Sequence, residues 1–386
     1  MPSYPGPGVA VRRSDLWSPD QYVRASELDR AQRVPLGEPA QVPELHAPRR
    51  TERDWRPSDY PLLPTRTCEG PGYTLLEDVF LTMPGLVLIG DGRFVREDLA
   101  RITPNHVSPT YERLLGAPAA VRAAEWPVHP EAIEKGILLA GTGSAQYGHM
   151  LLDFLPPLSV LDHLGVLPDW PLLMPARTPP WLDGMLQAFG SRPREIVRFP
   201  NRMTVKVEVG RLCVPWVLRR PAFHPAAGEA FDRIASAYVA SGGRSGDPPT
   251  RRIYVERPLP AASGAKRQLT NAREAKAFFE DRGFEPVRPE LLPFADQIRL
   301  FAEARAVAGE AGSGLHGTLF SRPGTTTVEL RPPSYVVRSQ LAVAALRRQA
   351  LLSVRGAQES SVSMSHDPWT LDLGEVERRL SAFGPL

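Results

Sequence analysis

The stretch RAVAGEAGSGLHGTLFSRPGTTTVEL, Arg305 to Leu330, decides how this chain is read. An apolar run enters a turn that holds Gly309, Gly312, Gly314 and Gly317, with His316 inside it, and a second apolar run ends on Glu329 and Leu330. The two runs read as strands, and SGLHGTLF between them as a short helix stopped by Pro323 and Gly324. Three chemistries compete for such a turn. Gly312-Ser313-Gly314-Leu315-His316-Gly317 satisfies the G-x-G-x-x-G of a dinucleotide fingerprint, with an acidic residue downstream. Its helix, however, is short for the crossover that the fingerprint needs, and the turn follows the third strand of its half rather than the first. A nucleophile elbow requires G-x-S-x-G, but Ala311 and Leu315 flank Ser313. A diphosphate cradle fits best. Bare amides at a helix start attract anions, glycine lets the ligand approach the chain, and His316 is placed to donate to a phosphate oxygen. A tight strand-to-helix turn with no ligand is the plain alternative.

Outward from this turn, strands and helices alternate. RIYVERP is a strand, and NAREAKAFFEDRG a helix that opens with Asn271 and Glu274 in capping-box spacing and ends at Gly283. FEPVRP is a strand, PFADQIRLFAEA a helix with Phe294, Ile298 and Phe301 on one face, and YVVRSQLAVAALRRQ the last long helix. Such alternation predicts a parallel, doubly wound sheet. Upstream, YTLLEDVFLTMPGLVLIGDGRFV reads as short strands with a GDG hairpin turn, and KGILLAG as a buried strand. SAQYGHMLLDFLPPLSVLDHLG follows as a helix that Pro156 and Pro157 should bend or end. The expected organisation is a Pro-rich extended or partly disordered arm at 1–66, an α/β half at 67–241, a linker at 242–252 and a second α/β half at 253–386.

With 386 residues the chain can bury about two ordinary cores. Its 46 basic residues nearly balance 43 acidic ones, and no basic run interleaves with aromatics, so nucleic acid is not an expected partner. Cys68 and Cys213 make no disulfide framework and point to a reduced, cytoplasmic setting. The sequence shows neither a signal-peptide core nor a run near the roughly 18 apolar residues of a membrane span. Peripheral contact with the inner face of a membrane stays open.

Residues 254–330 resemble the C-terminal signature of the family 61 glycosyltransferases, also described as capsular-polysaccharide biosynthesis proteins. The resemblance rests on Arg257, Arg267, Asn271 with Glu274, Gly283-Phe284-Glu285, Pro289-Glu290, Phe294, Gln297, the glycine turn with Leu315 and His316, Pro323-Gly324 and Glu329-Leu330. QYGHMLLDFLPPLSVL, 146–161, resembles the family's N-terminal block, with a His and an Asp four apart before Leu-Pro. Many members have His at the position of Ala311 and Asn at that of Gly317. The resemblance implies two Rossmann-like domains paired as in the GT-B fold. A nucleotide-sugar donor would sit on the C-terminal one, with a glycan acceptor in the cleft.

In that setting His149 and Asp153, four apart and on one helix face, are the candidate general base and its orienting carboxylate. They are equally a polar pair packing the half. Arg257 and Arg267, on the loop after the second half's first strand, suit diphosphate oxygens, with Lys266 as an added charge. Gly312, Ser313, Gly314, Leu315 and His316 are the candidate nucleotide-sugar cradle, and Glu329 the candidate ribose acceptor. Glu310 could touch the sugar but is not assigned to the site. Inverting transfer needs no metal here, no D-x-D motif is present, and no cofactor beyond the donor substrate is expected. The other readings are a non-catalytic nucleotide-sugar or glycan-binding relative and an NAD-dependent oxidoreductase.

Overall fold

The structure, a computed structural model, describes residues 22–45, 54–95, 123–141, 143–189, 194–202, 204–219, 222–241, 248–257, 267–335, 339–358 and 367–384. Within the expected arm, 1–21 and 46–53 lie outside these residues, as do 242–247 of the linker and Lys266.

Among the described residues eleven strands precede the linker: β1 (Tyr22–Val23), β2 (Ala31–Pro35), β3 (Ala40–Pro43), β4 (Thr65–Cys68), β5 (Gly72–Thr82), β6 (Leu86–Leu88), β7 (Phe94–Val95), β8 (Ile133–Leu138), β9 (Leu172–Pro175), β10 (Ile196–Phe199) and β11 (Val207–Pro215). β3 and β4 form a separate antiparallel ribbon. The rest make one sheet in the order β1-β7-β6-β5-β11-β8-β9-β10, with β2 on the free stretch of β5. β11, β8, β9 and β10 are parallel, but β5 runs antiparallel to β11 and continues into a meander. The GDG turn between β6 and β7 is present, with Gly92 at φ 86°. The chain is therefore α/β, as expected, while this first sheet is mixed rather than doubly wound. The cause is local: GDG and Pro84-Gly85 make turns too tight for crossover helices, so β5, β6 and β7 can pair only antiparallel.

The second sheet meets the doubly wound expectation. β12 (Arg251–Val255), β13 (Glu285–Val287), β14 (Ala304–Glu310), β15 (Thr326–Arg331) and β16 (Ala350–Arg355) lie all parallel in the order β13-β12-β14-β15-β16. Tyr254, Ala308, Val328 and Leu352 share one face, and Ile253, Val307, Thr327 and Leu351 the other. Strand order reverses between β12 and β14. Crevices at such switch points, outside the carboxyl ends of the strands, are where open α/β sheets hold ligands.

The helices are α1 (147–163), α2 (Leu182–Phe189), α3 (Pro225–Ser241), α4 (Ala272–Glu280), α5 (Phe294–Ala302), α6 (Ser339–Arg347) and α7 (Leu373–Phe383). α4 and α7 cover one face of the second sheet, where Phe279 and Val376 are fully buried. α5, α6 and a 3₁₀ helix (Ser313–Phe320) cover the other, and their apolar side chains form one core with those of α1 and α3. Phe189 and Phe231 from the first half meet Phe294 and Phe320 from the second at ring separations of 5.5–6.2 Å. Arg347, buried, reaches Asp232 at 2.6 Å and the carbonyls of Gly228 and Ser321, which fixes α3 against the second sheet. The Pro-rich segment near Trp55 reaches the same sheet: Trp55 pairs with Leu351 of edge strand β16, and Tyr60 Oη donates to the Gln349 carbonyl at 2.9 Å.

Two local expectations change. Asn271 does not cap α4; its side chain pairs with the backbone N–H and C=O of Leu371 at 3.0 and 2.8 Å, where a nearby strand-like segment offers both groups. Of the two effects on α1 expected of Pro156 and Pro157, a bend or an end, the end does not occur. The helix widens into a π segment (Met150–Phe154) just before them and runs on to His163. Two prolines lack the N–H groups for the ordinary i→i−4 bonds, and a wider turn accommodates that loss.

Candidate functional site

The π segment of α1 carries Asp153. His149, one turn earlier, sets its Nδ1 2.8 Å from Asp153 Oδ2. Arg219 donates from Nε to Asp153 Oδ1 at 2.8 Å, from Nη2 to Oδ2 at 3.3 Å, and from Nη1 to Ser339 Oγ at 3.0 Å. Burial pushes the Asp153 carboxyl up, but the Arg219 charge and the His149 hydrogen bond outweigh it and hold the group below its ordinary value. An ionised Asp153 only accepts, so the Nδ1 of His149 carries a proton, and in the neutral imidazole the lone pair is on Nε2. Sequence reasoning named His149 and Asp153 but not Arg219, which the structure places beside them. The available signal was its place just past the carboxyl end of parallel strand β11.

α1 packs directly on the glycine turn. A Cβ built on Gly148 would lie 2.9 Å from Ser313 Oγ and 3.0 Å from His316 Cδ2. A side chain at Gly148 would force both neighbours to shift, so glycine suits the close meeting of the two blocks. His316 is held by a short relay: Thr318 Oγ1 donates to the Leu315 carbonyl, Gln340 Nε2 donates to Thr318 Oγ1, both at 2.8 Å, and Gln340 Oε1 faces His316 Nδ1 at 3.3 Å. The direction of that relay puts the His316 proton on Nδ1. Burial, then the Arg219 charge, lower the imidazole to about 4 despite the Gln340 bond. His316 is therefore neutral near pH 7 and presents an acceptor, not a proton, at Nε2. The phosphate-donor role expected for it does not follow from this geometry.

The glycines divide by function. A Cβ on Gly317 would lie 2.1 Å from the Phe301 ring, and one on Gly309 2.8 Å from the Val255 carbonyl, so both are packing requirements. On Gly312 it would meet no atom of the described residues within 4 Å. Ser313 and Gly314 are exposed, and their N–H groups begin the 3₁₀ helix, where no intrahelical acceptor precedes them. Leu315 is fully buried and anchors the turn in the core.

Arg257 follows β12, and Arg267 lies beyond it with its guanidinium 3.8 Å over the Tyr335 ring. Arg267 sits at φ 59°, and its carbonyl accepts from Trp369 Nε1 at 3.0 Å. Glu310 ends β14 in the adjacent register and interacts electrostatically with both arginines. Burial lowers Arg257, aided by the like charge of Arg267. Glu329 lies within β15 beside Gly309, 7 % exposed, and accepts from Ser353 Oγ at 3.1 Å; burial pushes its carboxyl up. The structure thus gathers most of the predicted side chains into two groups, His149, Asp153 and His316 with Arg219, and Arg257 and Arg267 with Glu310, while Glu329 joins Ser353 and Arg331 instead.

Among the described residues no cluster of His, Cys, Asp or Glu is placed to hold a metal ion, and no helix is long and apolar enough to cross a membrane. Cys68 and Cys213 are buried and are not joined in a disulfide.

A family model described as Glycosyltransferase 61 matches residues 147–328, from the first residue of α1 to β15. No curated protein matches the chain.

Proposed function

Because residues 147–328 belong to glycosyltransferase family 61, we propose that this chain transfers a sugar from a nucleotide-sugar donor to a glycan acceptor, with inversion at the anomeric carbon. One observation carries the reading: the meeting of Gly148 with Ser313 and His316 brings the His149–Asp153 pair against the glycine turn. The two ends of the family match are far apart in sequence and converge on one place.

His149 Nε2 takes the proton of the acceptor hydroxyl as that oxygen bonds to the anomeric carbon. The bond from that carbon to the diphosphate breaks, and the diphosphate leaves with its electron pair. Asp153 fixes the Nδ1–H tautomer and offsets the charge that develops on the imidazole. Arg257, Arg267 and the N–H groups of Ser313 and Gly314 stabilise the departing diphosphate. The reading keeps the GT-B-like division of labour, donor on the second sheet and acceptor toward α1. The product would be a cell-surface polysaccharide assembled at the inner face of the membrane.

Thermal melts with UDP, GDP, CMP and NAD test this first. A nucleotide at a hundred times its dissociation constant adds about 2.7 kcal/mol of stability. Stabilisation by NAD alone would remove the transferase reading. Donor and acceptor panels read by mass spectrometry come next, and nucleotide binding without transfer or donor hydrolysis would leave a non-catalytic binding protein.

A further inference from the structure

The mechanism above gives no task to Glu310, a half-buried side chain at the carboxyl end of the second sheet. Glu310 closes β14 at the point where strand order reverses. Its Oε2 is buried and has no hydrogen-bond partner among the described residues, and the same holds for Nε and Nη1 of Arg267. Arg267 is meanwhile held in place by the Tyr335 ring and by the bond from Trp369 to its carbonyl. Buried polar atoms are nearly always satisfied, and exceptions call for an explanation such as a ligand that completes them. An acceptor and two donors, brought from two segments to one crevice, fit a ligand that offers both acceptors and a donor. A diphosphate offers only acceptors, and a carboxylate repels it. The ligand atom facing the ionised Glu310 must therefore be a hydrogen-bond donor, and the donors beside the diphosphate of a nucleotide sugar are hydroxyls of the ribose and of the transferred sugar.

Resting on the function proposed above, we propose that Glu310 is a specificity-determining residue of the donor site: its Oε2 accepts a hydroxyl hydrogen of the transferred sugar while Arg257 and Arg267 hold the diphosphate. Burial pushes the carboxyl to about 7 against the pull of Arg257 and Arg267, so a test at pH 8 addresses the carboxylate. Calorimetric titration of the wild type, Glu310→Gln and Glu310→Ala compares UDP with UDP-glucose and GDP with GDP-mannose. The nucleotide sugar should lose about tenfold or more in affinity in Glu310→Ala, while the nucleoside diphosphate stays within about twofold. Glu310→Gln keeps the side-chain shape, guards against a folding defect, and should lose part of the same preference. Equal loss for both ligands would put the contact on the ribose or base and overturn the proposal, as would unchanged discrimination. If the wild type binds none of these nucleotides and CMP does not stabilise it either, the donor reading itself falls. Binding and transfer with no effect of either variant would sink only the role of Glu310.

Discussion

His149 Nδ1 and Asp153 Oδ2 stand 2.8 Å apart, and the other oxygen of Asp153 accepts from Arg219 Nε at the same distance. The carboxylate thus serves two masters: it sets the imidazole tautomer and balances a guanidinium. These tasks separate in mutants.

For His149, the expectation concerns catalysis alone. His149→Ala should lower kcat by about a hundred- to ten-thousandfold, the range for losing a positioned base. Nucleotide affinity should stay within about twofold, because the diphosphate contacts assigned to Arg257, Arg267 and the turn are untouched. Arg267→Ala should show the reverse split, with nucleotide affinity falling at least tenfold. Steady-state kinetics beside equilibrium titration checks both, and equal losses of turnover and affinity in either variant would contradict the assignment.

Removing Asp153 should reach the fold itself. Asp153→Ala leaves the largely buried Arg219 uncompensated, at a cost of about 3 kcal/mol, the low end for breaking a buried pair because both side chains keep some solvent contact. The folded carboxyl lies below its ordinary value, so its stabilisation is present above about pH 4 and is lost as pH falls through the folded value. Urea unfolding at pH 7 and pH 3.5 should show the difference between wild type and Asp153→Ala shrinking in acid. A constant difference would mean that the ion pair contributes little.

The glycine turn and the His-Asp spacing were legible in the sequence because each is local: four residues set a shared helix face, and the glycines mark main chain that must be approached closely. The alternation after residue 250 likewise predicted a parallel sheet. Long-range partners were not legible. Nothing in PWVLRRP ties Arg219 to Asp153 until β11 and α1 pack together, and Gln340 fixes the His316 tautomer from α6. β16 and α7 escaped the pattern, since ALLSVR is a short strand that follows a helix with little break. Asn271 has capping-box spacing, yet tertiary contact with Leu371 won its side chain. Pro156 and Pro157 predict a bend or an end of the helix, and the π segment absorbs them without ending it.

Gly317 and Gly312 should respond oppositely to alanine. At Gly317 a methyl meets the Phe301 ring, and the overpacking costs about 1–3 kcal/mol. At Gly312 the backbone is extended, at φ 161°, and the methyl enters open space, so stability should change by less than about 0.5 kcal/mol. Nucleotide affinity should nevertheless fall at least tenfold in Gly312→Ala if the ligand occupies that space. Melts with and without nucleotide separate the two effects, and unaltered affinity in Gly312→Ala would move the ligand away from the turn.

His316 and Glu310 should tilt the pH dependence of stability in opposite directions. The folded imidazole is lowered to about 4, so between about 6.5 and 4 the unfolded chain binds a proton that the folded one refuses. Stability from this group is therefore lost as pH falls through that window, by at most about 1.4 kcal/mol per pH unit. The folded Glu310 carboxyl is raised to about 7, so between about 4.5 and 7 the folded chain keeps a proton that the unfolded one releases. Stability from this group is full at the acid end and is lost as pH rises through the same range. Chemical denaturation of His316→Gln and Glu310→Gln at half-unit steps from pH 4.5 to 7 isolates each slope by subtraction from the wild type. The His316 variant should flatten a rise with pH and the Glu310 variant a fall, and slopes of the same sign would show that one of the two groups is solvated rather than enclosed.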